Sequence, residues 1–201
     1  MPDPVAFFDC QFRRQVESEE FILNPFEQAA LPYLKGRVLD LGCGLGNLAL
    51  EAGRRGCDVI AVDASPTAVA RINRDAAAGK LKVQAVACDI ANFEIQGCYD
   101  SVVSIGLLMF FPRDKALSLL ERVQSCVNPE GCAVVNVLTE GTTYLDMFSE
   151  DHYTLFGRDE LALRFSGWDV CLSRHDEFDA TGGTRKTFST VIARRIAARP
   201  Q

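Results

Sequence analysis

The chain has 201 residues, an apolar fraction of 48%, a charged fraction of 24% and a formal net charge of −6. That length suits one domain of ordinary size and is too short for two joined by a linker. The composition excludes a disordered or fibrous chain, and the acid excess argues against a protein that grips phosphate backbones through clustered bases.

Residues 1–35 carry the acids Asp3, Asp9, Glu17, Glu19, Glu20 and Glu27 against Arg13, Arg14 and Lys35. They read as helical, with a break at Asn24-Pro25, because proline removes a donor and clashes with the preceding turn. From Arg37 strands alternate with helices. Val38 to Leu41 is a short apolar strand; Leu45, Leu48, Ala49 and Ala52 then recur at helical spacing. Asp58 to Val62 is a second strand. Ser65-Pro66 supplies an N-cap and a first-turn proline to a helix whose buried face is Ala68, Val69, Ile72 and Ala76. Leu81 to Ala85 alternates apolar and polar, the pattern of an edge strand. Ser101 to Ile105 is a buried strand. Ala116, Leu119, Leu120, Val123 and Val127 form another helical face, and residues 128–131 (Asn-Pro-Glu-Gly) a turn. Ala133 to Leu138 is a fifth strand. A helix is expected at Leu161 to Phe165, then strands at Trp168 to Ser173 and Thr187 to Ala193, joined by Thr181-Gly182-Gly183. Five β/α units predict a parallel sheet covered on both faces, with one antiparallel strand from the terminal hairpin.

The eight cysteines include no C-x-x-C pair, and only His152 and His175 could join them, so neither a zinc site nor a disulfide framework is expected. The first residues show no basic start and no apolar run. The longest apolar stretch, near 102–112, falls short of the roughly 20 residues that cross a bilayer. The expectation is a protein of the reducing cytoplasm with mostly buried, packing cysteines.

Gly42-Cys43-Gly44-Leu45-Gly46 lies between the first strand and its helix, where backbone N–H groups meet a ligand at the carboxyl edge of the sheet. Asn47 stands where a dinucleotide fingerprint needs its third glycine, and no G-K-[ST] follows, so pyrophosphate motifs fail. Asp40, two residues before the loop, would repel phosphate. It suits S-adenosylmethionine, which carries a sulfonium and an ammonium. Each residue also has a purely structural reading. Asp40 anchors a helix start, Asp63 caps the Ser65-Pro66 helix, Asp89 holds a turn, and Cys43 fills space.

Val38 to Val69, with Cys88-Asp89-Ile90, Tyr99-Asp100, Ser104-Ile105-Gly106 and Pro129-Glu130-Gly131, resembles the motifs of class I S-adenosylmethionine-dependent methyltransferases. Phe7-Phe8, Leu107 to Phe110, Gly167-Trp168-Asp169, His175, Phe188-Ser189-Thr190 and Ala193-Arg194-Arg195 are similar to the small tellurite-resistance (TehB-type) group.

The resemblance implies a Rossmann-like, doubly wound α/β sheet of seven mostly parallel strands, in the order 3-2-1-4-5-7-6 with the last antiparallel. It implies one domain over 1–201: a helical cap (1–35), a donor-binding core (36–140) and an acceptor-side helix with a terminal β-hairpin (141–201). Asp63 would accept both ribose hydroxyls of the donor, and Asp89 the adenine amino group, with the Ile90 N–H at the ring. Asp40, Gly42 and Gly44 would hold the methionine part, Ser104 and Ile105 would floor the sulfonium, and Cys43, Asn47 and Ala64 complete the set. His175, with Arg174 or Arg185, would orient a small soft acceptor: a tellurite- or selenite-type oxyanion, a thiol or a selenol. The tellurite group carries arginine after that histidine, where this chain has Asp176. It also carries a base before the last strand's aromatic, where this chain has Thr187. No metal, nucleic acid or membrane partner is implied. Small-molecule O- or N-methyl transfer and non-catalytic donor sensing are the alternatives; the missing third glycine and Asp40 weigh against a nicotinamide enzyme.

Overall fold

The computed structural model describes residues 4–18, 21–149 and 152–197. Asp3, Glu19, Glu20 and Arg199, together with the first two residues, lie outside the described residues. The chain runs α1 (Pro4–Glu17), α2 (Pro25–Ala30), a 3-10 turn, β1 (Arg37–Leu41), α3 (Asn47–Arg54), β2 (Asp58–Asp63), α4 (Pro66–Gly79) and β3 (Val83–Ala87). It continues with β4 (Tyr99–Ile105), a 3-10 turn at Leu108–Phe110, α5 (Arg113–Ser125), β5 (Val127–Leu138), α6 (Glu160–Arg164), β6 (Asp169–Asp179) and β7 (Arg185–Arg194). One sheet holds all seven strands in the order β3-β2-β1-β4-β5-β7-β6, and β7 is antiparallel to both neighbours.

Neighbouring apolar residues face opposite layers of core. Leu39, Val102, Val135 and Val191 pack with α5 and α6, while Val38, Val103, Val134 and Ile192 pack with α3 and α4. A strand covered on both faces is apolar throughout, which is why β1, β4 and β5 read as continuous runs. β3 is one edge, and Asn73 of α4 ties it down by hydrogen bonds in both directions with the Ala85 backbone (3.0 and 2.8 Å).

The local signals act as their chemistry requires. Asn24 caps α2, accepting from the N–H groups of Phe26 and Glu27, and the Glu27 carboxylate accepts in return from the Asn24 N–H at 2.8 Å. Ser65 caps α4, its hydroxyl accepting from the Ala68 N–H. Three expectations shift. Leu45 is buried in the glycine loop rather than in α3, and Val127 opens β5 rather than continuing α5. The Asn-Pro-Glu-Gly turn is absorbed into β5 as an irregularity, where the pairing with β4 jumps from Tyr99↔Val127 to Ser101↔Cys132.

At the amino ends of the strands, Asp100 accepts from the Arg37 N–H and from Asn128 Nδ2, both at 2.9 Å, and these bonds hold its carboxyl below the usual range. That residue fastens β1 to β4 and β5 on the side away from the glycine loop. No helix among the described residues is long and apolar enough to cross a membrane.

Candidate functional site

The glycine loop is fixed by backbone bonds first. The N–H groups of Gly42 and Cys43 both donate to the Val62 carbonyl (2.8 and 3.1 Å), folding the loop back over β2. Gly46 sits at φ +72°, and a Cβ there would lie 2.6 Å from Cδ1 of Ile72, so only glycine lets α4 pack this close. Gly46→Ala combines a left-handed backbone with that collision. It should cost about 2–4 kcal/mol of stability, read as a lowered denaturation midpoint. Arg71, buried beneath the loop, donates to the Leu45 carbonyl and to Asn47 Oδ1 (2.8 Å), and stacks on Phe21 at 3.6 Å. Asn47 in turn donates to the Ile22 carbonyl at 3.3 Å.

Three carboxylates follow the sheet order from β3 to β1, and their surroundings differ. Asp89, just past β3, accepts from the Ala91 N–H (2.9 Å) and Asn92 Nδ2 (3.1 Å). Asp63, at the end of β2, accepts from the Gly44 N–H (2.8 Å) and the Ser65 N–H (2.9 Å), bridging the glycine loop to the start of α4. Burial outweighs those bonds and raises its pKa. Asp40, on β1, is 4% exposed, and among the described residues its carboxylate has no hydrogen bond or ion pair. Burial, with Glu27 and Asp63 nearby, raises its pKa to about 8. The same burial, with Asp40 and Asp63 beside it, pushes the Cys43 thiol well up, so it is no nucleophile at neutral pH.

These groups surround a cavity of about 540 Å³ at the carboxyl ends of β1, β2 and β4. Asp40, Gly42, Cys43, Gly44, Asn47, Asp63, Ala64, Asp89, Ile90 and Ile105 all line it. Ser104 does not. It is fully buried, its hydroxyl has no partner, and strand alternation turns it away from the face that Ile105 presents.

The expected helical cap supplies the roof, through side chains that the sequence pattern did not single out beyond Phe8. Phe8, Gln11, Phe12 and Gln15 of α1 close the cavity, with Phe12 directly over Gly44 and Phe8 edge-on to Phe110 at 5.2 Å. Asp9 pins α1 in place, accepting from the Ser65 hydroxyl at 2.5 Å. Glu27 also lines the cavity. Its N-x-x-E spacing behind Asn24 was a legible capping box, but its reach toward Asp40 depends on α2 folding over β1.

The three residues expected to act on an acceptor are not brought together, and none lines the cavity. His175 lies inside β6, not past it, because that strand runs on to Asp179. Its Nε2 is 3.4 Å from Asp159 Oδ1 beside α6. Arg174, the preceding residue, points to the opposite face of the strand and donates to Asp176 at 2.8 Å. Arg185 pairs with Glu177 at 3.2 Å, and Arg194 with Asp169 at 3.8 Å. Arg174, Arg185 and Arg194 are thus each paired with a carboxylate of their own hairpin. Lys186 rests on the Tyr144 ring at 4.3 Å, and burial lowers its pKa. Among the described residues no cluster of His, Cys, Asp and Glu is arranged to hold a metal.

A glycine loop between β1 and α3, a clamped acid ending β2 and this strand order define the fold of the class I, S-adenosylmethionine-dependent methyltransferases. Residues 38–131 match the family model described as a methyltransferase domain. The chain is 30% identical over 152 residues to a carboxy-S-adenosyl-L-methionine synthase of Vibrio campbellii, covering 72% of this chain and 60% of that protein. It is 27% identical over 165 residues to a probable S-adenosyl-L-methionine-dependent methyltransferase, TehB, of Haemophilus influenzae, covering 79% of this chain and 57% of that one. The crystal structure of TehB from Haemophilus influenzae superposes with a TM-score of 0.75 at 21% identity, covering 90% of this chain and 65% of that chain. The chain therefore resembles the TehB type, and it spans about three fifths of the length of these curated relatives.

Proposed function

We propose that the chain transfers the methyl group of S-adenosylmethionine to a small, soft acceptor, a thiol or selenol in preference to a tellurite- or selenite-type oxyanion. The observation that carries this is the cavity wall. It holds four carboxylates (Glu27, Asp40, Asp63 and Asp89) and, among the described residues, no Lys, Arg or His. Such a wall attracts a cationic donor and repels an anionic acceptor. It also disfavours the carboxylated product named for the Vibrio relative. In this reading Asp63 receives the ribose diol, Asp89 the adenine amino group, and Asp40 the ammonium of the methionine part. Residues 36–140 form the donor-binding core under the cap of 1–35, and 141–201 form the acceptor side.

The chemistry is an in-line displacement at the methyl carbon. A lone pair on the acceptor sulfur or selenium forms the new bond, the methyl–sulfonium bond breaks with its pair returning to the donor sulfur, and the acceptor's S–H or Se–H proton passes to solvent. Alignment and exclusion of water by Phe8, Phe12, Phe110 and Phe111 do most of the work. Soft acceptors need little base catalysis, which fits a wall without an imidazole. The same acids and aromatic rings would also suit an amine, so N-methyl transfer is the second reading. A reducing, cytoplasmic setting suits eight free cysteines, four of them buried.

The test is incubation with methyl-labelled S-adenosylmethionine and a panel of thiols, selenols, amines, phenols, tellurite and selenite. Transfer to thiols and selenols is expected, with little to the oxyanions. Preferred transfer to tellurite would reverse the acceptor assignment, and donor binding without any transfer would make the chain a sensor.

A further inference from the structure

Of the four carboxylates on the cavity wall, Asp63 and Asp89 are each clamped by two hydrogen-bond donors of the chain itself. Asp40 is clamped by none, although it is nine-tenths buried and faces the cavity. Glu27 stands between these cases. One of its oxygens accepts from the Asn24 N–H at 2.8 Å, fixing the side chain in the capping box. The other has no partner among the described residues, and its charge acts on Asp40. Glu27 is not part of the row Asp89, Asp63, Asp40 at the strand ends. It comes from α2, which leans by Phe26 on Phe178 and Phe188 of the β6–β7 hairpin. Glu27 and Asp40 thus add two acids to the clamped Asp63 and Asp89, and no base of the wall neutralises them.

We propose that Glu27 makes this cavity select the positively charged methyl donor over its neutral, demethylated product. The inference rests on the reading of the cavity as the S-adenosylmethionine site. The donor carries a sulfonium, an ammonium and a carboxylate, a net charge of +1. Methyl transfer leaves S-adenosylhomocysteine, whose sulfur is an uncharged thioether and whose net charge is zero. The two molecules share every polar contact at the ribose and adenine, so a fixed negative charge is the cheapest means of telling them apart. Glu27 has the freedom for this that Asp63 lacks, and its attraction is lost at the moment the sulfonium is discharged. Product release is thereby favoured by the chemistry itself.

The experiment is isothermal titration of the whole chain, wild type and Glu27→Gln, with S-adenosylmethionine and with S-adenosylhomocysteine. Glutamine at that helix position keeps the capping bond to the Asn24 N–H, so the variant removes charge and leaves α2 in place. Wild type is expected to prefer the donor. Glu27→Gln should lose about five- to tenfold in donor affinity, the size of one charge pair acting through a partly screened cavity, and change less than twofold for the product. Glu27→Asp, which keeps the charge, should keep most of the preference even if α2 is weakened. Equal losses for both ligands would make Glu27 a merely structural residue and overturn the proposal, as would an unchanged ratio. A wild-type chain that binds neither ligand would refute the donor reading and the proposal with it, whereas donor binding with an unaltered ratio refutes the proposal alone.

Discussion

Asp40→Asn should make the ligand-free chain more stable at pH 8 and abolish its stabilisation by S-adenosylmethionine. Asp40 is buried without a partner, and burial together with Glu27 and Asp63 lifts its pKa to about 8. In the unfolded chain the same carboxyl titrates near 3.9. Between these values the native state holds a proton that the unfolded state has released. Stability therefore falls as pH rises through that window, by up to about 1.4 kcal/mol per pH unit, and is flat in this respect below pH 4 and above pH 8.

Asparagine removes the titration but leaves an unpaired amide in the same place, at about 1–3 kcal/mol. The net gain at pH 8 should be about 2 kcal/mol, several degrees in Tm for a chain of this size. At pH 4 the gain should vanish or reverse. Thermal denaturation at both pH values reads it directly. With saturating donor, wild type should melt higher by the linkage of binding to folding, while Asp40→Asn should barely move. An Asn variant that loses stability at pH 8 would show that the charge of Asp40 is compensated in the native state, and the reading of it as an unpaired acid would fail.

The positions that bring the glycine loop and the strand-end acids to the cavity were legible because their signals are local. Ser65-Pro66 announces a helix start wherever it stands, and the loop from Gly42 to Gly46 needs only the strand before it and the helix after it. The same holds for the central strands of the sheet. Ala133, Val134 and Val135 of β5 form an unbroken apolar run because helices cover both faces, and they alternate between the two cores. The C-terminal half of β6 was not legible. Arg174 to Asp179 is nearly all polar, being the outer edge of the sheet and partly solvated on both faces, so no period of two marks it. A strand expected to end at Ser173 leaves His175 outside the sheet, whereas β6 runs on to Asp179 and holds it beside Asp159. Glu27 failed for another reason. Its role depends on which carboxylate α2 is folded over, and that is fixed by Phe26 meeting Phe178 and Phe188, near the far end of the chain.

Asp63→Ala should weaken donor affinity by about 2–4 kcal/mol, roughly 30- to 1,000-fold, with the fold intact. Two losses add in that substitution. The first is direct: a carboxylate at the end of β2 can receive both hydroxyls of a vicinal diol in charge-assisted bonds, and alanine receives neither. The second is indirect, because the N–H groups of Gly44 and Ser65 each lose their acceptor, and the glycine loop is no longer tied to the start of α4. The fold itself does not depend on this link. Gly42 and Cys43 still donate to Val62, and β1 stays in register with β2 from Arg37↔Asp58 to Leu41↔Val62. Far-ultraviolet circular dichroism should therefore be unchanged while titration calorimetry shows the loss. Asp63→Asn separates the two effects. Its one carbonyl oxygen can keep the Gly44 or the Ser65 N–H and still accept one hydroxyl, so its affinity should fall between those of alanine and wild type. If Asp63→Ala retained the full thermal shift on donor addition, the carboxylate would serve only to fasten the loop, and the ribose would have to be held by other groups of the cavity wall.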